Sequence, residues 1–190
     1  MAVIDGVWTP SPEFAAASNM AQFMRWLAQQ GKDFSDYDAL WQWSITDLSG
    51  FWQAVWDYHG LTSPTPYTQV IGSPDMPGAK WFDGASLNYA DQVMRHVRPG
   101  HPAIIHQAED GTYTTLTWDA LQTQVATLAA SLQALGITRG DRVVGYLPNN
   151  KETIVAFLAC ASLGAVWSLC APDMGAPTVL ERFRQIEPKA

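Results

Sequence analysis

The chain has 190 residues, of which 47% are hydrophobic and 15% are charged. This balance is typical of a globular protein and excludes a disordered chain. The formal net charge is −7 and the 11 Lys and Arg residues form no cluster, so the composition predicts no nucleic-acid partner. The two cysteines, Cys160 and Cys170, lie in an apolar stretch and are predicted to be reduced core residues rather than a disulfide or metal pair.

Residues 1–14 contain neither a basic flank nor a long apolar run, so we expect no signal peptide. In the helical region that follows, Asn19 is the expected N-cap of one helix, which ends at Gly31. A later helix starts near Asp47 and carries a wide stripe of mainly aromatic residues on one face. We expect this stripe to dock on the rest of the protein rather than to form a ligand platform. Its members are Leu48, Phe51, Trp52, Val55, Trp56 and His59.

Residues 61–80 are rich in Pro and Gly and show neither helix nor strand periodicity. So long a loop is unusual in a compact domain, and we predict an extended arm that wraps over a larger body. Residues 81–84 are expected to form a turn, and Ser86 is expected to be the N-cap of a short helix.

The pattern after residue 102 predicts an α/β fold. Two short strands flank Asp110-Gly111, a pair that favours a hairpin turn, and Thr117 then caps a long helix that ends at Gly136. Apolar strands and helices alternate from there on, which indicates a parallel sheet with crossover helices. Since only two parallel strands are evident, we expect the sheet to be incomplete. The predicted strands are 103–106, 113–116, 142–147 and 165–169, and the later helices are 153–163 and 178–186.

The uncharged run 154–171 allows two interpretations, because it approaches the length of a membrane span. A buried helix, a turn at Gly164 and a buried strand produce the same pattern, since parallel strands are covered on both faces. Ser162 and Ser168 lower the hydrophobicity, and no basic cluster marks a cytoplasmic end. We therefore predict core rather than a membrane span.

The sequence contains no phosphate-binding glycine loop, nucleophile elbow or metal-ligand motif. Ligands of open α/β sheets bind beyond the carboxyl ends of strands, which here precede residues 147–149 and 170–175. The second segment combines Pro and Gly, so it is a candidate for close approach by a ligand. The alternative is an ordinary connection in which Asp173 or Thr178 caps the next helix.

Residues 81–90 (WFDGASLNYA) resemble the segment that opens the large domain of short-chain acyl-CoA synthetases, which are adenylate-forming enzymes. Further strings agree with this family in order and spacing over nearly the whole chain. Two of them, 76–82 (MPGAKWF) and 172–175 (PDMG), are most similar to the acetoacetate-using branch, whereas acetate- and propionate-using members carry a Phe-Gly-Gly type loop at the second place. The remaining strings are 43–44, 51–52, 55–57, 116–118, 140–143, 147–149 and 163–168.

The resemblance implies a two-step ligase reaction that uses ATP, Mg²⁺ and CoA. The acid and ATP give an acyl-adenylate and pyrophosphate, and the CoA thiol then displaces AMP. The resemblance also implies that the family's phosphate loop, nucleotide motifs and catalytic Lys lie beyond residue 190. We therefore assign no catalytic residue or metal ligand here, and expect the chain alone to be inactive and to bind no cofactor tightly. Ala171, Pro172 and Asp173 correspond to a loop beside the CoA pantetheine arm in related enzymes.

The implied architecture has a helical extension in residues 1–100, with the arm at 61–80, and the first part of a three-layer α/β/α domain in residues 101–190. The implied partners are the rest of the parent chain and a small-molecule acid, and an open sheet edge predicts self-association. The expected location is the cytoplasm. Two alternatives remain open: a non-catalytic interaction or CoA-binding module with the same fold, and a ligase for acetate or propionate.

Overall fold

The chain divides into two compact units, Met1–Ser86 and Leu87–Ala190, and the computed structural model describes residues 8–190 of them. The segment expected to lack a signal peptide, residues 1–14, lies partly outside the described residues. Among residues 8–190, no helix is long and apolar enough to cross a membrane.

Four helices make up most of the described first unit, and a short polar side chain caps the start of each. The Ser18 hydroxyl accepts a hydrogen bond from Ala21 N at 3.1 Å, so Ser18 is the N-cap and the expectation of Asn19 is wrong. The reason is that Ser18 keeps an extended backbone, whereas Asn19 is already helical. Asp47 caps the fourth helix by accepting from Gly50 N at 2.9 Å. The helices are α1 (Pro12–Ala17), α2 (Asn19–Gln29), α3 (Tyr37–Thr46) and α4 (Leu48–Tyr58).

The arm contains a strand that its composition did not predict. Strand β1 (Gln69–Ser73) pairs antiparallel with β2 (Lys80–Asp83), and the register shifts between Ile71 and Ser73. The turn expected at residues 81–84 is therefore largely wrong, since residues 81–83 belong to β2. Neither strand is buried on one face, so the sequence has no apolar alternation that would predict the pair. The hydrogen bonds between the strands form only once the chain has reversed direction.

The second unit contains the predicted α/β alternation. The hairpin is confirmed, with Ile104 opposite Leu116 and Gln107 opposite Tyr113. Its elements in chain order are α5 (Tyr89–Arg95), β3 (Ile104–Gln107), β4 (Tyr113–Leu116), α6 (Trp118–Ala134), β5 (Arg142–Tyr146), α7 (Lys151–Ser162), β6 (Val166–Cys170) and α8 (Ala176–Ile186).

The parallel sheet is confirmed by β5 and β6, which pair in parallel with Val144 opposite Ser168. Helix α7 connects the two strands, as a crossover between parallel neighbours requires. On the other edge of β5, Lys189 N donates to Arg142 O and Val144 N donates to Ala190 O, both at 2.8 Å. Strand β5 therefore has backbone partners on both sides.

The core of the second unit lies among α6, α7 and β5. Leu158, Ala159 and Cys160 are almost completely buried, which confirms the core interpretation of the uncharged run. Cys160 and Cys170 are both free and buried, as predicted, and burial raises the pKa of the Cys160 thiol.

Two helix caps in this unit differ from the expectation. Helix α5 is capped by Asn88 instead of Ser86, because Asn88 Oδ1 accepts from Ala90 N at 2.9 Å. Helix α8 follows Gly175, which has no capping side chain, so neither Asp173 nor Thr178 is the N-cap. The cap at Thr117 for α6 is as predicted, and Asn150 caps α7; each side chain accepts a hydrogen bond from a backbone amide in the first turn of its helix.

Candidate functional site

The candidate site lies where the two parallel strands end side by side. Tyr146, the last residue of β5, is opposite Cys170, the last residue of β6. Parallel strands present their carboxyl ends at one edge of a sheet, so residues 147–150 and 171–175 leave the sheet from the same edge. Backbone pairing continues just past the strand end, where Leu147 N donates to Cys170 O at 3.2 Å.

The loop of residues 171–175, which we call the β6 loop, is a tight and exposed turn. Met174 N donates to Ala171 O at 3.1 Å and closes it. Ala171, Pro172 and Asp173 are all exposed, whereas Met174 is half-buried. The three predicted site residues are thus adjacent on the surface at the strand-end edge, accessible to a ligand.

A tyrosine hydroxyl holds the β6 loop from the neighbouring strand. Tyr146 Oη lies 2.6 Å from Met174 O and 3.0 Å from Pro172 O. A phenol has one proton to donate, so the two carbonyls share it, with the shorter bond to Met174. Tyr146 is 46% exposed, and its hydroxyl is the group that is engaged with the loop.

The glycine before this tyrosine leaves room for an indole. A Cβ at Gly145 would lie 2.6 Å from Trp167 Cη2 and 3.0 Å from Cζ2, too close for any other side chain without movement. Trp167 lies on β6, opposite Val143. Gly145 therefore lets the indole lie across β5 next to the strand end.

The other loop at this edge is held by its own helix cap. Asn150 Oδ1 accepts from Thr153 N at 3.0 Å, and the Thr153 hydroxyl donates to Pro148 O at 2.7 Å. Thr153 is only 5% exposed, the one buried polar residue among those described. Both of these bonds join residues within five positions of each other, whereas the Tyr146 bonds to the β6 loop come from a different strand.

Charged groups gather at the opposite end of β5. Lys189 Nζ lies 2.7 Å from Asp141 Oδ2, which also accepts from Thr138 N at 2.7 Å and from the Thr138 hydroxyl at 2.9 Å. The hydrogen bond from Lys189, followed by those from Thr138, lowers the pKa of Asp141 to about 2. Lys189 also donates to Gly136 O at 2.6 Å, so this cluster ties the last residues to the start of β5. It is a structural feature, separate from the β6 loop.

The aromatic stripe of α4 packs inside the first unit. The Trp56 ring centroid lies 4.5 Å from that of Phe82 and 5.3 Å from that of Tyr67, and Trp56 is only 7% exposed. Trp52 lies 5.6 Å from Trp81 by the same measure. The stripe therefore packs partly against β2 and the arm, within the first unit. Other stripe residues line an apolar cavity of about 300 Å³ among α2, α3 and α4.

No group of three His, Cys, Asp or Glu side chains among residues 8–190 is placed to hold a metal ion. The carbonyls of Ala171, Pro172 and Met174 already accept hydrogen bonds within the protein, whereas exposed Asp173 carries a carboxylate that the loop can present to a ligand. Sequence reasoning found the loop but missed Tyr146. Its position at the end of a strand was visible, but the partner of its hydroxyl lies 26 to 28 positions away and has no sequence signal.

Comparison with known proteins agrees with this architecture. Residues 91–190 match the family model described as AMP-binding enzyme, and residues 37–93 match the model described as acetyl-coenzyme A synthetase N-terminus. The chain belongs to the AMP-binding enzyme family, whose adenylate-forming acyl-CoA synthetase fold its second unit shares.

Individual relatives carry a more specific name than these family models. The acetoacetyl-coenzyme A synthetase of Rhizobium meliloti (strain 1021) is 40% identical over 184 residues, which cover 96% of this chain and 28% of the relative. The acetoacetyl-CoA synthetase of Rattus norvegicus is 40% identical over 165 residues, or 84% of this chain and 24% of the relative. The structure of acetoacetyl-CoA synthetase from Streptomyces lividans matches with a TM-score of 0.88 and 44% identity, over 95% of this chain and 29% of that one. The chain thus spans less than a third of the length of these relatives.

Proposed function

We propose that the whole protein is an acetoacetate–CoA ligase. It converts acetoacetate, ATP and CoA into acetoacetyl-CoA, AMP and pyrophosphate through an acyl-adenylate, with Mg²⁺ as the metal that accompanies ATP. The observation that carries the proposal is the match to the Streptomyces lividans structure, at 44% identity over 95% of this chain. The cytoplasm is the proposed location.

In this proposal the 190 residues supply scaffold and one ligand-facing loop. Residues 1–100 are the helical extension with its arm, and residues 101–190 begin the AMP-binding domain. Exposed apolar side chains support a covering by the rest of the protein: Val166 is 52% exposed and Leu169 is 41% exposed, both on β6. Without that covering we expect copies of the 190-residue chain to associate with one another and to be catalytically inactive.

The proposed CoA contact is the β6 loop at Ala171, Pro172 and Asp173. What supports it is geometry: the three residues are exposed together at the carboxyl edge of parallel strands, where ligands of this sheet type bind. The loop carries no side-chain cation and one carboxylate, that of Asp173, which suits the neutral pantetheine arm better than the anionic CoA phosphates. When bound, CoA supplies the thiol that attacks the acyl-adenylate, and the loop would only orient it.

A further relative bears on the choice of acid. The malonamoyl-CoA synthetase vrtB of Penicillium aethiopicum is 36% identical over 166 residues of this chain. Malonamoyl and acetoacetyl groups are both short acyl groups with a second carbonyl at the third carbon. We therefore propose a 3-carbonyl acid as the substrate class, with acetoacetate as its first member.

The test uses the full-length protein that contains this chain. Acid-dependent exchange of labelled pyrophosphate into ATP reports the first step, and thioester formation with CoA reports the second. We expect both with acetoacetate, a weaker response with malonamate, and the weakest with acetate and propionate. If none of these acids supports pyrophosphate exchange, the ligase proposal is refuted. A purified 190-residue chain that turns over acetoacetate would refute the scaffold role.

A further inference from the structure

We propose that Tyr146 is a positioning residue for CoA, acting through the β6 loop. This inference rests on the proposed function, because it assumes that the loop contacts CoA. Tyr146 lies on β5, whereas the loop follows β6. Its hydroxyl holds the loop in the conformation that the ligand meets.

The contacts single out this hydroxyl. Among residues 8–190, the Tyr146 hydroxyl is the only side-chain group that hydrogen-bonds to residues 171–175. The loop's own closure consists of one backbone bond, Met174 N to Ala171 O at 3.1 Å. Its last residue, Gly175, starts α8 with no capping side chain. A turn with so few local constraints depends strongly on an external one.

The geometry shows how the constraint acts. The carbonyls that accept from Tyr146 belong to residues 172 and 174, so they turn toward β5 on both sides of Asp173. Ala171 and Asp173 stay exposed, which leaves the outer surface of the turn free for a ligand. Removing the hydroxyl frees both carbonyls to rotate, and CoA must then order the loop as it binds.

The burial of Tyr146 argues that the hydroxyl, rather than the ring, has this role. The residue is 46% exposed and lies outside the hydrophobic core of this unit, so its ring contributes little to that core. Its strand is held independently, by β6 on one edge and by Lys189 and Ala190 on the other. Loss of the hydroxyl should therefore loosen the loop while leaving β5 in place.

The decisive experiment compares Tyr146→Phe with wild type in the full-length protein. We expect acetoacetate-dependent pyrophosphate exchange to stay within about 2-fold, because adenylate formation does not use CoA. The KM for CoA in thioester formation should rise about 3- to 10-fold, the size expected for one lost neutral hydrogen bond. Tyr113→Phe is the matched control: Tyr113 is 65% exposed, and its hydroxyl makes no hydrogen bond within the described part of the chain, so both steps should be unchanged.

The outcomes separate the inference from the proposal beneath it. A wild-type protein without pyrophosphate exchange overturns the proposed function, and the CoA role with it. Normal exchange in Tyr146→Phe with an unchanged KM for CoA overturns the positioning role alone. Equal losses in both steps indicate a purely structural role and also overturn it. The ratio of the effect on thioester formation to the effect on pyrophosphate exchange tests the positioning role even if the variant is less stable, because a smaller folded fraction lowers both rates by the same factor.

Discussion

Asn88 connects two helices of the second unit by donating from its amide Nδ2 to Ala161 O at 3.0 Å, at the end of α7. The same amide group lies 3.1 Å from Ser162 O, and its oxygen caps α5. One side chain thus satisfies the free amides at the start of one helix and the free carbonyls at the end of another. The position of α5 against the α/β core depends on it.

Replacing Asn88 should therefore cost more than an ordinary cap. We expect Asn88→Ala to lower the free energy of unfolding by about 2–3 kcal/mol, from the lost cap and the lost bonds to α7. Asn88→Asp is the control, because it keeps an oxygen for Ala90 N but removes the amide donors. Urea unfolding should place Asp between Asn and Ala. Equal stability of the Asp and Asn proteins would show that the bonds to α7 contribute nothing.

Two tryptophans of the first unit should differ sharply in their effect on stability. Trp56 is 7% exposed and packs against Phe82, whereas Trp41 on α3 is 50% exposed. We expect Trp56→Ala to destabilise the protein by about 3 kcal/mol or more, and Trp41→Ala by less than about 1 kcal/mol. Thermal unfolding followed by circular dichroism measures both. A larger effect at Trp41 would place the main contact of this unit on α3 instead of α4.

The room that Gly145 leaves for Trp167 predicts overpacking when a methyl group is added. Because the new Cβ would lie 2.6 Å from the indole, we expect Gly145→Ala to destabilise by about 1–3 kcal/mol and to change the near-ultraviolet circular dichroism of the indole. Gly175→Ala is the control, since its Cβ would meet Pro177 only at an ordinary 3.8 Å and its φ is −61°. If the two variants are equally stable, Trp167 moves aside at no cost.

The pKa of Asp141 predicts how stability changes in acid. Its folded pKa of about 2 is below the ordinary value of 3.8, so the carboxylate stabilises the folded state fully above about pH 4. This contribution declines as the pH falls through 3.8 toward 2 and is absent below. Other carboxylates titrate in the same range, so the measurement is the difference between wild type and Asp141→Asn.

We expect that difference in urea midpoint to be largest near pH 5 to 7 and to vanish near pH 2. It should also shrink at high salt, because Asp141 and Lys189 are both solvent-accessible. A difference that is the same at pH 2 and pH 6 would mean that the charge of Asp141 has no part in holding Lys189.

Several elements were predictable because their causes are local. The caps at Thr117 and Asn150 act within three residues, and the apolar spacing of α6 records which side that helix buries. Strands β5 and β6 followed from apolar runs between helices, since buried parallel strands are covered on both faces. The β6 loop followed in turn, because the edge at which ligands bind such a sheet is set by strand direction.

The expectations that were wrong concern elements whose contacts join residues distant in the sequence. Strands β1 and β2 are half-exposed and carry no alternation, so only their pairing defines them. Asn88 rather than Ser86 caps α5, and its amide also reaches Ala161, which is 73 positions away. No local pattern distinguishes these residues from their neighbours.

The sequence by itself determined the α/β class, the order of the helices and strands and the edge at which the candidate loop lies. Only the tertiary structure decided what holds that loop, because the Tyr146 hydroxyl and the carbonyls of Pro172 and Met174 meet only after β5 and β6 have paired. Periodicity records burial, which is averaged over many contacts. A single hydrogen bond between distant residues depends on a register that exists only in the folded chain.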